Sequence, residues 1–430
     1  MTFAFGIDYF ARAQKAEAEG QRRLAALAYY SAWCSDSKNI DAGIAYARTI
    51  FDDQPRSTAE TMDEMLENSE SDSEKLKILG ALLFYKEFSA RIDRELMPYH
   101  ATSLDEMFFK YCVDDFELYQ ELAFKSNDLV AKCLARFCDR DRSGAQRNLT
   151  LFRDRVQNHV WSCVNFDPKF YAYLESMSDE DILRGLPEVH GTGLASSSPT
   201  IYLGADGKYM NAFGDALVAS LRDVSNGQNI HIHEMNPLGN KLGVGTYEYC
   251  EASRAYYHSI RFIRLWQHLR EAKGPLWLMD VDALFRNDPA PMFATLDGHD
   301  VAFRVRAGRF EPWNQFNACV VGVAPTPAAQ RYFRLIAAYI AFCWQRGNLQ
   351  WGIDQFAMYG CYEYLRDLGC SPKLAFLDDK HIDYEYKDNG IVWCNSGKNK
   401  FMGLKPGPDG KRQIDPDRVK YMELYERYAK

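Results

Sequence analysis

The sequence predicts an α/β domain in the second half of the chain, preceded by an all-α half. Residues 8–158 carry apolar positions at spacings of three and four and almost no clusters of β-branched residues. Residues 187–200 are rich in Gly, Ser and Pro, as linkers are. Short apolar runs then alternate with helical patterns, which indicates a mostly parallel sheet with helices on both faces. We therefore expect a helical domain over 1–186 and an α/β domain over 199–430.

Composition limits the function classes. The 430 residues are enough for two or three cores, and the net charge of -8 argues against nucleic acid as the main partner. The longest apolar run, residues 332–344, contains Arg334 and is too short to cross a membrane. The eleven cysteines include no CxxC pair, which favours reduced thiols over disulfides or a zinc site. With no secretory leader at the N-terminus, we expect a soluble, cytoplasmic protein.

The helical half resembles tetratricopeptide-type repeats without a clean period. Residues 23–55 pair two helical patterns of similar length around a short polar turn, with a proline just after the second. Repeat surfaces usually hold another molecule, so this half is expected to bind a partner, an acceptor or a second subunit.

In the second half, six runs predict strands because they are apolar and bounded by turn residues. In chain order they are TIYLGAD, QNIHIHEMNP, GPLWLMDVD, HDVAFRVR, FNACVVGV and PKLAFLDD. Three longer stretches predict helices because their apolar residues recur every three or four positions. These are NAFGDALVASLRDVS, SRAYYHSIRFIRLWQHLREA and PAAQRYFRLIAAYIAFCWQ. The aromatic-rich run AAYIAFCWQRGNLQW is interpreted as helix core rather than as a base-stacking platform.

The stretch PLWLMDVDALF places Asp280 and Asp282 at the end of an apolar run. Residues i and i+2 of a strand point to the same side, so the two carboxylates are expected to converge. Two converging hard oxygen ligands suit Mg²⁺ or Mn²⁺, which often complete their coordination with water and substrate phosphates. A solvated acidic turn is the alternative interpretation of an arbitrary D-x-D pattern.

Around this motif the chain resembles the GT-A glycosyltransferases, in particular the family 8-like nucleotide-diphospho-sugar transferases. The segment YHSIRFIRLWQHLREAKGPLWLMDVDALFRNDPAPMF resembles their donor-site region, in which an arginine-bearing helix leads into a strand that ends in D-x-D. IYLGADGKYMNAFGDALVASL, FNACVVGVAPTP and GIDQFAMY resemble three further elements in the same order. The resemblance covers residues 199–401, and it implies a GT-A fold.

The resemblance also implies roles for individual residues. Asp206 and the backbone near Gly204 and Ala205 would contact the nucleotide base, and Tyr209 would pack nearby. Arg261 would contact the donor, Asp280 would lie near the ribose and the metal, and Asp282 would be the principal metal ligand. The sugar and acceptor side would be lined by Asn317, Asp354 and Gln355.

Near the C-terminus, WCNSGKNKF falls where the family carries an H-x-x-G-x-x-K motif. Gly397 and Lys400 keep its spacing, and Lys398 or Lys400 would place a positive charge on the diphosphate. Cys394 stands where the metal-binding histidine is expected. The third protein ligand is therefore open among Asn395, a water molecule and a strand shifted by one residue.

The function implied is transfer of a sugar from a nucleotide-sugar, with UDP favoured, to a glycan or protein acceptor, with Mn²⁺ or Mg²⁺ as cofactor. A retaining mechanism is slightly favoured by the D-Q element. An inverting enzyme would need a carboxylate base, for which Asp354 is the best candidate and Asp378 or Asp379 are lesser ones. Two alternatives stay open: a haloacid-dehalogenase-type phosphatase, and a helical-repeat scaffold with a degenerate transferase domain.

His231 and His233 share one face of a predicted strand, yet no carboxylate or cysteine accompanies them at ligand spacing. We therefore interpret them as structural or solvent-facing residues rather than metal ligands.

Overall fold

The computed structural model describes most of the second half of the chain and parts of the first. The described residues are 8–19, 21–36, 38–50, 55–79, 121–126, 132, 144, 146–147, 163–194, 199–225, 227–239, 245–252, 259–305, 316–384, 386, 390–394, 404–406, 412–414 and 416–429. The chain divides into two compact units, Met1–Trp161 with Arg306–Gln315, and Ser162–Val305 with Phe316–Lys430. The predicted limits 1–186 and 199–430 remain predictions.

The described part of the first unit is helical. Its helices include α1 (Tyr9–Ala18), α2 (Arg22–Ser35), α3 (Ile40–Ile50) and α4 (Pro55–Asn68), and residues 72–79 and 121–125 are also helical. Successive helices contact one another, and their buried residues form two apolar clusters. Asp8 caps α1 by accepting a hydrogen bond from the backbone of Ala11. The tetratricopeptide-like interpretation stays a prediction.

The second unit mixes helices and strands. Its helices are α5 (Pro168–Ser176), α6 (Asp179–Leu183), α7 (Gly207–Val224), α8 (Ile260–Leu269), α9 (Ala290–Ala294), α10 (Pro327–Gln345), α11 (Ile353–Asp367) and α12 (Pro416–Tyr428). Its strands are β1 (Val189–Gly191), β2 (Thr200–Asp206), β3 (Asn229–Met235), β4 (Thr246–Cys250), β5 (Leu276–Met279), β6 (Ala283–Phe285), β7 (Val301–Val305), β8 (Phe316–Val323), β9 (Leu374–Phe376), β10 (Ile382–Asp383), β11 (Val392–Cys394), β12 (Leu404–Pro406) and β13 (Arg412–Ile414). The α/β class predicted for this half is confirmed.

An eight-stranded sheet has the order β1-β4-β3-β2-β5-β8-β7-β9. Strands β4, β3, β2 and β5 run parallel to one another, as β7 and β9 do. The β1–β4, β5–β8 and β7–β8 pairs are antiparallel. The sheet is therefore mixed: its β4-β3-β2-β5 part and its β7–β9 pair match the parallel arrangement expected from the sequence, and the other pairs do not. Small sheets join β10, β11 and β6, and β12 with β13.

Strand β2 lies inside the sheet and packs against a different helix on each face. Ile201, Leu203 and Ala205 belong to the apolar cluster that includes residues of α7. On the other face, the ring of Tyr202 contacts His268 of α8, and Gly204 lies against Arg261 of the same helix. This alternation follows from the two-residue period of a strand. It leaves the carboxyl end of β2 between α7 and α8.

All six predicted strands and two of the predicted helices lie where the sequence placed them, with small shifts at their ends. The predicted helix over 253–272 is present as α8, and residues 253–258 of that prediction lie outside the described residues. The run predicted as helix core is confirmed as far as α10 extends, because Tyr339 and Trp344 are buried, but Trp351 lies beyond the helix and is 65% exposed. The predicted linker differs, since β1 forms within it and pairs with β4. Within the part of the chain that the structure describes, each helix is too short or too polar to cross a bilayer.

Candidate functional site

Two adjacent parallel strands, β2 and β5, end at the same edge of the sheet. Gly204, Ala205 and Asp206 form the end of β2, and Asp280 follows β5 directly. Ligands of open α/β sheets usually bind at the carboxyl ends of the strands. This edge is therefore the candidate site.

Arg261 of α8 joins two acidic side chains at this edge. Its Nη1 lies 2.5 Å from Asp280 Oδ1, and its Nη2 lies 3.6 Å from Asp354 Oδ2. Nη2 also donates to the carbonyl oxygen of Ala318 on β8, at 3.2 Å. Burial favours the neutral form, but Asp280 and Asp354 raise the pKa of Arg261 above its ordinary value. The arginine is thus a fixed positive charge between two carboxylates.

A glycine makes room for this arginine. A Cβ added at Gly204 would lie 2.6 Å from the Cβ of Arg261, closer than real Cβ atoms approach. Any larger residue at position 204 would therefore displace Arg261. Ala205, the next residue, directs its side chain into the apolar cluster on the opposite face.

The D-V-D motif is a turn rather than a strand end. Val281 and Asp282 lie in a turn between β5 and β6, which the Ala283 N–H closes by donating to Asp280 O at 3.3 Å. The strand stops at Met279, so the two-residue period of a strand does not apply to Asp280 and Asp282, and the convergence of their carboxylates stays a prediction. The Asp280 carboxylate pairs with Arg261, and the Asp282 carboxylate accepts from Tyr209.

Asp282 is buried and accepts a hydrogen bond from Tyr209. The Tyr209 hydroxyl lies 2.6 Å from Asp282 Oδ2, and burial together with Asp282 raises the pKa of Tyr209 far above its ordinary value. The Tyr209 ring packs on Phe213 within the same helix, and its expected place near a nucleotide base stays a prediction. Its hydroxyl links α7 to the D-V-D turn.

Asp206 is the N-cap of α7. Its Oδ1 accepts hydrogen bonds from the backbone of Lys208 at 2.9 Å and of Tyr209 at 3.0 Å. Capping of α7 is by itself a sufficient reason for an aspartate at position 206. Its expected contact with a base stays a prediction.

Asn317 and Cys319 of β8 share a partner near the same edge. Asn317 Nδ2 donates to the Tyr384 hydroxyl at 2.5 Å, and its Oδ1 accepts from the Cys319 backbone at 2.9 Å. The Tyr384 hydroxyl also lies 2.7 Å from Cys319 Sγ, and the Asp280 N–H donates to Cys319 O at 2.7 Å. These contacts hold Asn317 two residues before Cys319, whose backbone oxygen accepts from Asp280.

Asp354 and Gln355 lie at the start of α11. Gly352, in the left-handed conformation with φ of 84°, precedes the helix and lets the chain turn into it. Asp354 is buried, and its Oδ1 accepts from the Gln355 backbone at 2.9 Å. Asp354 is therefore brought to Arg261, while the place of the Gln355 side chain toward a substrate stays a prediction.

The lesser acidic candidates pair with other residues. Asp378 Oδ1 lies 2.7 Å from His381 Nδ1, and this neighbour and backbone N–H groups lower the pKa of Asp378 despite its burial. Asp379 forms an ion pair with Arg304. Neither carboxylate contacts Arg261 or the D-V-D turn among the described residues.

Cys394 stands close to the acidic pair. It ends β11, opposite Ala283 in the antiparallel pairing with β6, and Ala283 directly follows Asp282. The neighbouring Cys319 thiol, burial and the two aspartates Asp280 and Asp282 all raise the pKa of Cys394. The other predicted residues of this segment, Asn395, Gly397, Lys398 and Lys400, lie outside the described residues.

The residues of the turn fit a hard divalent cation. Asp280 and Asp282 offer carboxylate oxygens, the donors that Mg²⁺ and Mn²⁺ prefer. With Asp354 they carry three negative charges against the single positive charge of Arg261, which leaves an excess that a cation could balance. Among the described residues the aspartates do not form a group with a third close protein ligand. A cation here would take its remaining ligands from water and substrate.

A second polar cluster lies under α8 and was not expected from the sequence. Glu248 of β4 accepts from His233 Nδ1 at 2.9 Å and lies 3.1 Å from His268 Nε2. Arg264 Nε donates to Glu248 Oε1 at 3.1 Å and Nη2 to Oε2 at 2.5 Å. His231 Nε2 lies 3.5 Å from Glu248 Oε1. These five residues form the Glu248 cluster.

The Glu248 cluster corrects one of the two interpretations of its histidines. His231 and His233 are completely buried, so they are structural and not solvent-facing. Burial lowers the pKa of both histidines. Burial alone would raise the pKa of Glu248, but its contacts with the three histidines and with Arg264 hold the pKa far below its ordinary range.

Ligand atoms of His231, Glu248 and His268 lie within 4.8 Å of one another, a spacing that could hold a metal ion. Arg264 already binds both carboxylate oxygens of Glu248. A divalent cation would therefore add uncompensated charge to a buried cluster, which is costly. We interpret the cluster as the polar anchor of α8.

Two partners of the site also went unrecognised in the sequence, Tyr384 and Tyr421. Tyr384 contacts Asn317 and Cys319, and the Tyr421 hydroxyl donates to the backbone oxygen of Asp282 at 2.8 Å. Neither tyrosine lies in a motif. Their connection to the site is visible only from contacts with residues that are distant in the sequence.

No protein-family model matches the chain, and no curated protein matches it. Among solved structures, the chain is similar to the galactosyltransferase LgtC in complex with donor and acceptor sugar analogues, at 14% identity and a TM-score of 0.35, over 54% of this chain and 96% of that chain. It is similar to the glycosyltransferase GlyE of Streptococcus pneumoniae TIGR4 at 14% identity and 0.34, over 54% and 59%. The bifunctional glycosyltransferase WbbM matches at 13% and 0.37, over 56% and 53%. TM-scores this low do not establish a shared fold or activity.

Proposed function

We propose that the second unit is a GT-A-type glycosyltransferase that moves a sugar from a nucleotide-sugar, UDP-linked, to a glycan or protein acceptor. The observation that carries the proposal is the meeting of Asp280, Arg261 and Asp354 at the carboxyl ends of β2 and β5. The order of the motifs along the chain supports it further. Asp280 and Asp282 would hold Mn²⁺ or Mg²⁺ beside the donor diphosphate.

The charges of the site suit departure of a nucleoside diphosphate. Breaking the bond between the anomeric carbon and the phosphate oxygen builds negative charge on the leaving group. A bound divalent cation would supply Lewis-acid stabilisation of that charge. Arg261 holds Asp280 in place and balances part of the acidic charge. Lys398 or Lys400 would add a further positive charge.

The contacts of Asp354 favour a mechanism that retains the configuration of the anomeric carbon. An inverting enzyme needs a carboxylate free to accept the acceptor's proton. Asp354 lies 3.6 Å from the Arg261 guanidinium and accepts from the Gln355 backbone, so it is poorly placed to act as a base. In a retaining reaction with same-face attack, the departing phosphate accepts the proton of the acceptor. Asp354, Gln355 and Asn317 would then position the sugar and the acceptor.

Asn395 or a water molecule would complete the protein side of the metal site. Gly204, Ala205, Asp206 and Tyr209 would surround the nucleotide, with the Tyr209 hydroxyl reaching Asp282. The first unit would bind the acceptor, and a cytoplasmic location fits a nucleotide-sugar donor.

The experiment is a nucleotide-sugar panel. UDP-, GDP- and CMP-sugars are added to the full chain with and without Mn²⁺, and both thermal unfolding and release of free sugar are measured. A UDP-sugar that raises the unfolding temperature only with Mn²⁺, with slow hydrolysis to free sugar, supports the proposal. Hydrolysis of simple phosphoesters instead would indicate the phosphatase. Absence of both binding and hydrolysis would indicate the scaffold.

A further inference from the structure

The C-terminal helix α12 carries three tyrosines on one side. Tyr421, Tyr425 and Tyr428 are spaced by four and three residues, which places them on one face of a helix. The Tyr425 hydroxyl donates to Ala212 O at 2.5 Å, and the Tyr428 hydroxyl donates to Asp223 Oδ2 at 2.5 Å. Both of these partners belong to α7. Tyr421 is the exception, because its hydroxyl reaches the D-V-D turn.

Tyr421 is held in an apolar setting. It is 1% exposed, and it belongs to a cluster with Leu284, Tyr386 and Trp393. Its ring centroid lies 5.5 Å from that of Tyr386. The hydroxyl lies 2.8 Å from Asp282 O, in a buried contact. A buried hydroxyl in such a setting has its orientation fixed by the packing around the ring.

Asp282 therefore accepts hydrogen bonds from two tyrosines that belong to two different helices. Tyr421 of α12 holds its backbone oxygen, and Tyr209 of α7 holds its carboxylate. Asp282 lies in the turn between β5 and β6. The two hydroxyls help to fix its position there.

We propose that Tyr421 is a positioning residue, which orients Asp282 for a divalent cation by holding its backbone carbonyl. This inference rests on the proposed function, since it assumes that Asp282 binds the cation. Outer partners of metal ligands typically change metal affinity about tenfold to a hundredfold when they are removed. The C-terminal helix is thus part of the metal site, although it contributes no ligand.

The test compares two Tyr→Phe changes on the same helix. Tyr421→Phe removes the hydroxyl that contacts Asp282, and Tyr425→Phe makes the same chemical change at the hydroxyl that contacts Ala212. Free Mn²⁺ is titrated into the full chain with and without UDP, and bound Mn²⁺ is counted from its electron paramagnetic resonance signal. We expect Tyr421→Phe to weaken Mn²⁺ binding at least tenfold, with Tyr425→Phe close to the unsubstituted chain.

Thermal unfolding without metal separates positioning from stability. Both variants lose one hydrogen bond, so a merely structural role would lower both unfolding temperatures and leave both Mn²⁺ affinities alone. Equal Mn²⁺ affinity in Tyr421→Phe and the unsubstituted chain would overturn the inference while the proposed function stands. Equal weakening in both variants would also overturn it. If the unsubstituted chain binds no Mn²⁺ with UDP, the proposed function fails and the inference fails with it.

Discussion

Arg261 lies directly over Gly204, so close that a Cβ at position 204 would stand 2.6 Å from the arginine's own Cβ. The missing side chain lets the guanidinium lie beside Asp280 and within 3.6 Å of Asp354. One position without a side chain on β2 thus decides where the positive charge of the site lies.

The first prediction concerns Gly204→Ala. We expect the free energy of unfolding to fall by about 1–3 kcal/mol, as it does when a methyl group is forced into a packed region. Nucleotide binding should weaken as well, because Arg261 must move. Chemical denaturation and a nucleotide titration measure the two effects.

Gly193→Ala is the control, since an added Cβ there meets nothing within 4 Å. It should leave both quantities nearly unchanged. Equal effects from the two substitutions would mean that the contact with Arg261 is not responsible.

The second prediction concerns Arg261→Met. This change leaves Asp280 and Asp354 without their shared cation, and removing one partner from a buried ion pair costs about 3–5 kcal/mol. Because the Asp280 side chain is 25% exposed, the loss should fall toward the lower end. Urea denaturation measures it.

Arg270→Met gives a matched comparison in an exposed ion pair with Asp179. Exposed pairs contribute about 0–1 kcal/mol, so this loss should be small. A loss as large as that of Arg261→Met would argue against a special role for the buried arginine.

The third prediction concerns pH and the Glu248 cluster. Because burial lowers the folded pKa of His231 and His233, the unfolded chain takes up protons that the folded chain refuses. The free energy of unfolding should therefore be unaffected by these histidines above the unfolded histidine pKa of about 6.5, and it should fall as the pH drops below that value. The lowered pKa of Glu248 acts in the same direction, but only below about pH 4.3.

His231→Gln tests this assignment. Between about pH 7 and pH 5 the variant should lose up to about 1.4 kcal/mol per pH unit of slope in the free energy of unfolding, the effect of one proton. Urea denaturation across that range gives the slope. A slope unchanged by the substitution would show that His231 does not carry the pH dependence.

Local pattern was enough to predict the strands and helices that frame the site. The buried strand before Asp280 and the periodic helix that carries Arg261 both lie where the sequence placed them. The pairing of these two residues could not be predicted, because it depends on how α8 docks on the sheet. The turn geometry of Asp282 was missed for a related reason: apolar character predicts a strand but not the residue at which it stops.

The Glu248 cluster shows the limit of motif spacing. Glu248 lies 15 residues from His233 in the chain, and only the parallel register of β3 and β4 brings them together. The contact of Tyr421 with Asp282 spans 139 residues and follows from the packing of the C-terminal helix. A single sequence contains no period that reports either contact.

The role of the D-V-D turn is tested most directly by UDP binding with and without Mn²⁺ in the unsubstituted chain and in Asp280→Asn and Asp282→Asn. At a ligand concentration of about 100 times Kd, binding should stabilise the unsubstituted chain by about 2.7 kcal/mol, and only when Mn²⁺ is present. Both variants should fold and lose that Mn²⁺-dependent gain. If the variants keep it in full, Asp280 and Asp282 do not hold the cation and the proposed function is wrong.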